Sequence, residues 1–276
     1  MQYITLNDDV RIPQLGFGVW QIPDAQAYEA VSTALEAGYR HVDTAAAYEN
    51  EAGVGRAIRE SGVPREDVFL TTKLWNGDQG YDTTLRAFDL SLERLGTDYV
   101  DLYLIHWPVP EQDLYIESWR ALEKIAADGR ARAIGVSNFT AETLDRLLKE
   151  GTTPPAINQI ELHPYFPQAA MREYDRKHGI VTEAWSPLGQ GGDLLGEPLL
   201  TRLGGLYGKT PAQVVIRWHL QLGNVVIPKS ATPSRIRENF DVFDFDLTPD
   251  EIDEITALGG AGGRIGPDPA VFNYTG

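Results

Sequence analysis

Four residues in the first 106 have the types and spacing for acid–base work on a polar bond: Asp43, Tyr48, Lys73 and His106. Asp43 and Tyr48 share the stretch Gly38-Tyr-Arg-His-Val-Asp43-Thr-Ala-Ala-Ala-Tyr48, in which His-Val-Asp-Thr reads as a short strand with Asp43 opposed to Val42. A carboxylate at the end of a buried strand needs a cation or donors to meet it. Lys73 is the candidate cation. A tyrosine hydroxyl ionises near pH 10 in water, and a neighbouring ammonium stabilises its phenolate. At an effective dielectric near 20, unit charges about 4 Å apart interact by roughly 4 kcal/mol, on the order of three pK units before desolvation is subtracted. His106, as a neutral donor, can turn a carbonyl toward Tyr48. The set suits protonation of a developing alkoxide. Each member also has a plainer reading: a surface aromatic, a structural Lys73–Asp43 pair, a core histidine.

Whether these groups meet depends on the elements that carry them. Short apolar or β-branched runs end near Gly18, Asp43, Lys73, His106, Asn138, Glu161, Trp185 and Lys229, with helical patterns between them. Most repeats take the 25 to 30 residues of a βα unit. Asp82 is positioned to cap a helix over 82–96, and Thr140 to cap the next. Thr210-Pro211-Ala-Gln213 and Thr248-Pro249-Asp-Glu251 read as capping boxes with proline at the first helical position. Eight such units predict an α/β fold, a closed (β/α)8 TIM barrel, over an open doubly wound sheet. Residues 2–13 read as an N-terminal β-hairpin turning at Asn7-Asp-Asp9. The interval from Trp185 to Lys229 predicts an extra loop or helix, and the segment from Gly259 has no periodicity. With no linker or repeat, residues 1–276 are expected to form a single domain.

In a barrel the carboxyl ends of the strands share one rim. Asp43, Lys73, His106, Ser137, Asn138, Gln159, Glu161, Trp185, Lys229 and Ser230 all fall there. The usual glycine-rich dinucleotide fingerprint is absent, because Gly16-Phe-Gly18 lacks its third glycine. A better anion site lies at Ile227-Pro-Lys229-Ser230-Ala-Thr-Pro-Ser-Arg235, where a strand ends in Lys-Ser and a helix starts near Thr232-Pro233. Trp185 can stack on a flat ring, while Ser137, Asn138 and Gln159 can hydrogen-bond a carboxamide. The five histidines show no metal-ligand spacing. His41, His178 and His219 read as structural, and His163 as a brace for its loop.

A formal charge of −16 repels nucleic acid and anionic membranes, and makes the cationic cluster at 229–237 stand out. Without cysteine there is no disulfide, thiol nucleophile or Cys-zinc site, which fits a reducing compartment. No basic, apolar leader is visible and no apolar run approaches about 18 residues. A cytoplasmic location is the expectation.

These residues resemble the aldo-keto reductase superfamily over essentially the whole chain. The motif segments are Gly38 to Tyr48, Leu104-Ile-His-Trp-Pro108, Gly135-Val-Ser-Asn138, Asn158-Gln-Ile-Glu-Leu-His-Pro164 and Ile227-Pro-Lys-Ser230. Thr72-Lys-Leu-Trp75, Trp185-Ser-Pro-Leu-Gly189 and Phe243-Asp-Phe245 look most like the bacterial 2,5-diketo-gluconic acid reductases and prostaglandin-F-synthase-like reductases. The resemblance implies an NADPH-dependent reduction of small carbonyls, with diketo-sugar acids among the candidates, by a monomer. It implies Tyr48 as proton donor, Asp43 and Lys73 as its tuning pair, and His106 as the carbonyl-orienting residue. Ser137, Asn138 and Gln159 are implied at the carboxamide and Trp185 on the nicotinamide, with Ser186, Leu188, Gly189 and Gly191 in the adjoining cofactor loop. Lys229, Ser230, Arg235, Glu238 and Asn239 are implied at the adenosine 2′-phosphate, and Trp20, Trp75 and Trp107 in the substrate pocket. Ala231-Thr232 stands where some relatives carry larger or basic residues, yet Lys229 and Arg235 favour NADPH over NADH. The short tail ending Val271-Phe-Asn-Tyr-Thr-Gly276 is expected to close little of the pocket. Two other readings keep parts of the pattern: a regulatory or redox-sensing NADPH-binding protein with little turnover, and a Schiff-base lyase using Lys73 or Lys229.

Overall fold

The computed structural model describes residues 1–7, 9–260 and 262–276. Strands β1 (Tyr3–Thr5) and β2 (Arg11–Pro13) pair antiparallel as the expected hairpin. Its turn includes Asp8, which lies outside the described residues. Eight parallel strands follow in sequence order: β3 (Phe17–Gly18), β4 (His41–Asp43), β5 (Phe69–Leu74), β6 (Val100–Ile105), β7 (Ala131–Ser137), β8 (Ile157–Glu161), β9 (Val181–Trp185) and β10 (Val225–Val226). The two ends of the sheet meet. Gly16 N–H donates to Val226 O at 2.8 Å, Val226 N–H donates to Gln14 O at 2.9 Å, and Gly18 bridges Lys229. The sheet is therefore a closed barrel, and its parallel strands are buried on both faces.

The outer ring begins with α1 (Asp24–Ala37), α2 (Glu51–Glu60), α3 (Tyr81–Leu95), α4 (Tyr115–Ala127) and α5 (Ala141–Glu150). It continues with α6 (Ala169–Lys177), α7 (Pro198–Tyr207), α8 (Pro211–Gln221), α9 (Pro233–Phe240) and α10 (Pro249–Thr256). Thr140, Thr210 and Thr248 each close a capping box, so these three starts follow local chemistry. The start of α3 does not. Its cap is Gly80, at φ 108°, whose N–H donates to Ser118 Oγ at 2.9 Å. Asp82 caps nothing and sits in the first turn, where its charge still suits the helix dipole. The predicted insertion between Trp185 and Lys229 is α7 with two short 3-10 turns ahead of it. Beyond α10 the described residues form no helix or strand. None of the helices is long and apolar enough to cross a membrane.

Two apolar cores hold this arrangement. The outer one, between sheet and helices, includes the fully buried Trp119, Trp218, Tyr103 and Phe88. Burying each such side chain stabilises the fold by roughly 1.5–3 kcal/mol. The inner one fills the amino-terminal end of the barrel, where Leu6 and Ile12 of the hairpin region plug a ring of Phe69, Leu102, Ala133, Ile157 and Val225. Above this plug the inward positions turn polar. His41, Thr71, Gln159 and Glu183 come first, then Asp43, Lys73 and Trp185 two residues further along their strands. The hairpin thus closes one end, and polar chemistry is confined to the other.

Candidate active site

Asp43 ends β4 and Lys73 lies near the end of β5, both essentially without solvent contact. Lys73 Nζ donates to Asp43 Oδ1 at 2.7 Å and to Thr44 O at 2.9 Å, and lies 3.4 Å from the Tyr48 hydroxyl. Tyr48 closes a 3-10 turn (Ala46–Tyr48), and Glu49 follows at φ 55°. That loop is pinned from below: Thr44 Oγ1 donates to Asn50 Oδ1 at 2.7 Å, and Asn50 Nδ2 donates to the carbonyls of Val19 and Ile22. Tyr48 consequently has little freedom to leave the lysine.

Burial works against the Lys73 ammonium, but Asp43 and Tyr48 outweigh it and hold its pKa above the ordinary value. For Tyr48 the balance goes the other way from the simplest expectation. Burial pushes the hydroxyl up, and Lys73 offsets only part of that. Tyr48 therefore keeps its proton at neutral pH, as a proton donor must. Burial, then the Lys73 charge, push His106 well below its usual value, so the imidazole is neutral. Its ring meets Tyr48 and Trp75 edge-on, at centroid distances of 5.6 and 5.5 Å. His106 Nδ1 is buried without a partner among the described residues. A bare acceptor there leaves the proton on Nε2, the nitrogen available to a ligand.

The carboxamide-type residues form one interlocked group. Ser137 Oγ donates to Gln159 O, and Asn138 Nδ2 donates to His106 O and Ser137 Oγ. Trp185 Nε1 donates to Asn138 Oδ1 at 2.8 Å, which fixes the indole over the rim. Gln159 Nε2 donates to Asp43 Oδ2 at 2.9 Å and to Glu183 Oε2 at 3.0 Å, leaving its carbonyl oxygen to meet an incoming N–H.

These groups line a cavity of about 1310 Å³ that also reaches Trp20, Trp75, Trp107, Ser186, Leu188, Gly191, Lys229, Ser230, Arg235, Glu238 and Asn239. Of the residues singled out from the sequence, Gly189 turns away and lines a neighbouring groove with Leu194, while the buried Lys73 and Glu161 do not reach the cavity wall. At one end α9 begins beside Ser230, whose Oγ accepts from Thr232 N–H at 3.1 Å. Lys229 and Arg235 have no acidic partner among the described residues, although Glu238 is nearby and accepts from Thr210 Oγ1 at 2.9 Å. Two unneutralised cations at a helix start, in a chain of charge −16, suit a phosphate. The cavity has room and donors for an extended nucleotide.

The tail corrects the sequence reading. Instead of leaving the mouth open, it crosses it. Glu161, buried at the end of β8, accepts from Ile265 N–H at 2.5 Å, Gly266 N–H at 2.8 Å and His163 Nε2 at 3.0 Å. Burial works against this carboxylate, but His163 and the two amides hold it below its usual value. Gly266 lies so close to the Trp185 ring that a Cβ would come within 2.5 Å of it. Further on, Phe272 packs on Trp107 at 4.4 Å and Tyr274 on Trp75 at 6.2 Å, while Asn76 Nδ2 donates to Tyr274 O at 2.8 Å. Sequence reading missed these partners because they are about 100 to 200 residues away from them in the chain. Glu161→Gln should release the near end, since a carboxamide offers one oxygen to two amides. Hydrogen exchange at Ile265 and Gly266 is then expected to run roughly 10- to 100-fold faster. Unchanged exchange would show that the carboxylate does not hold the tail.

Fold and cluster together define a (β/α)8-barrel protein with a buried Tyr–Lys–Asp cluster at the carboxyl ends of its strands. Residues 14–259 match the Aldo/keto reductase family. An aldo-keto reductase of Mycolicibacterium smegmatis is 60% identical over 273 residues, covering 99% of this chain and 98% of the relative. Methylglyoxal reductase DkgA of Yersinia pestis is 52% identical, covering 98% of this chain and 96% of that one. A crystal structure of a Gox0644 mutant in complex with NADPH superposes with a TM-score of 0.95 at 46% identity, covering 99% of both chains. The chain belongs to the Aldo/keto reductase family, whose members are oxidoreductases.

Proposed function

We propose that residues 1–276 form one catalytic unit that reduces small aldehydes and ketones with NADPH. The observation that carries this reading is the buried Lys73 ammonium, held 2.7 Å from Asp43 and 3.4 Å from the Tyr48 hydroxyl, two groups that line the cavity. When bound, the dihydronicotinamide supplies the hydride. Trp185 would stack on that ring, and the Gln159 carbonyl oxygen would accept from its carboxamide. His106 Nε2–H orients the substrate oxygen, and Tyr48 gives it a proton as negative charge develops there. Lys73 stabilises the resulting phenolate, and Asp43 keeps Lys73 charged. The products are the alcohol and NADP+. Trp20, Trp75, Trp107 and Tyr274, with Phe272 packed on Trp107, give the substrate end aromatic walls suited to compact carbonyls, and the likeness to a methylglyoxal reductase supports the same class.

The test is NADPH oxidation over a panel of small carbonyls, with methylglyoxal first and NADH alongside. Carbonyl-dependent oxidation of NADPH is expected, and binding without turnover would overturn the reading. Arg235→Ala in the same assay is expected to raise KM for NADPH by roughly 10- to 100-fold, the effect of one charge-assisted hydrogen bond. KM for NADH, which lacks the 2′-phosphate, should change little. Equal effects on both cofactors would remove Arg235 from the phosphate site.

A further inference from the structure

Beneath the proposed proton donor the barrel holds a second acid that the chemistry above does not use. Glu183 lies on β9 two residues before Trp185 and has no solvent contact. Gln159 Nε2 donates to its Oε2 at 3.0 Å and to Asp43 Oδ2 at 2.9 Å, so one amide nitrogen bridges two carboxyl groups. The other oxygen, Oε1, has no hydrogen-bond partner among the described residues. His41 Nε2 stands 3.6 Å from it and already meets Thr71 Oγ1 at 3.2 Å. Lys73 cannot serve as counter-ion, because its three N–H groups are directed at Asp43, Thr44 and Tyr48. An ionised Glu183 would be an uncompensated charge in the barrel interior, next to a carboxylate that already occupies Lys73.

From this arrangement we propose that Glu183 is a positioning residue held as the neutral carboxylic acid, which fixes Gln159 and limits the charge beneath Tyr48 to one carboxylate per lysine. The acid rests on the functional reading above only for its effect on turnover. The titratable groups facing it are His41 and Asp43 on β4 and Lys73 on β5, with Tyr48 beyond the lysine; its neighbour on β8, Gln159, is neutral. Burial pushes His41 down to about 3, so that ring supplies no positive charge. Burial and then the Asp43 charge push Glu183 up to about 8, while Gln159 and Lys73 act in the opposite direction. The sign follows. Below about pH 8 the group is neutral, and above it a negative charge appears behind Asp43 and opposes a phenolate on Tyr48. Carbonyl reduction should therefore slow as pH rises through that value, by roughly tenfold.

Infrared difference spectra of the full chain between pH 6 and pH 10 read the protonation state without reference to activity. The wild type is expected to lose a protonated-carboxyl band with a midpoint near pH 8, and Glu183→Gln is expected to lack that band. Asp175, pushed by burial up to about 7, gives a second band that the substitution leaves in place. Labelling glutamate with carbon-13 separates the two in wild-type protein even if the variant folds poorly. The alkaline inflection in kcat should likewise be missing from Glu183→Gln. A purely structural role would lower stability at every pH and leave the shape of the profile intact. No glutamate band titrating above pH 6, or an inflection that survives Glu183→Gln, would overturn the proposal. If no carbonyl is reduced at all, the functional reading fails and the infrared titration still decides the state of Glu183.

Discussion

Tyr48→Phe is expected to bind NADPH as the wild type does and to reduce carbonyls roughly 10²- to 10⁴-fold more slowly, the range for loss of a positioned proton donor. The substitution is informative because it removes so little else. The phenyl ring keeps its edge contact with His106 and its place near Lys73 Nζ, 5.0 Å from the ring centroid. The loop stays anchored, since Thr44 and Asn50 hold it independently of the hydroxyl. Cofactor fluorescence titration checks binding, and single-turnover oxidation of bound NADPH checks the chemical step. Retained turnover would assign the proton to another group, and His106 would be the next to test.

Lys73→Met should have the largest effect on stability. Methionine approximates the length of the lysine chain without its charge, leaving Asp43 buried with only Gln159 to meet it. Breaking a buried pair from one side typically destabilises by about 3–5 kcal/mol, because the remaining charge is uncompensated. Chemical denaturation should show this loss together with loss of turnover. Adding Asp43→Asn removes the stranded charge, so the double variant is expected to recover much of the stability and none of the activity. Such a cycle separates the pair's structural part from its chemical part. The pH window follows from the sign of the shift. Lys73 has its pKa raised in the folded chain, so its stabilisation is complete below the unfolded value near 10.4 and fades only as pH rises through the folded one. Across pH 5 to 9 the part of the cost that comes from the lysine's own titration should be flat. A single variant as stable as wild type would mean that the ion pair has little structural weight.

The fold and the candidate site were legible in the chain to different depths. The barrel could be read because parallel strands buried on both faces leave continuous apolar runs, and because helices such as α5, α8 and α10 carry their caps in adjacent residues. The rim could be read for a geometric reason. Once eight strands are placed in a barrel, their carboxyl ends share one surface, so Asp43, Lys73 and Gln159 converge however far apart they stand in sequence. What escaped was set by long-range contacts with no local signature. Gly80 displaced Asp82 as the cap of α3 because Ser118, on α4, receives its N–H. Attraction between Lys73 and Tyr48 could be anticipated from residue types, but the depth of burial that outweighs it could not. Glu183 left one clue, an acidic residue on the same face of its strand as Trp185.

The division between barrel and tail bears on how such a protein can diversify. The proposed proton transfer depends on groups fixed by paired strands, where a shift in one disturbs its neighbours. Part of the mouth comes instead from Gly266, Pro267, Tyr274 and Gly276 of the final eleven residues, which lie outside the sheet and are anchored through Glu161 upstream and Asn76 at the far end. Between those moorings the tertiary contacts are the aromatic ones of Phe272 and Tyr274 and the Asn273 Oδ1 that accepts from Glu111 N–H at 3.0 Å. Selection can therefore retailor what enters the cleft while inheriting its reactive floor intact. A library confined to 267–276, with Phe272 and Tyr274 left alone, varies the cleft without touching the paired strands.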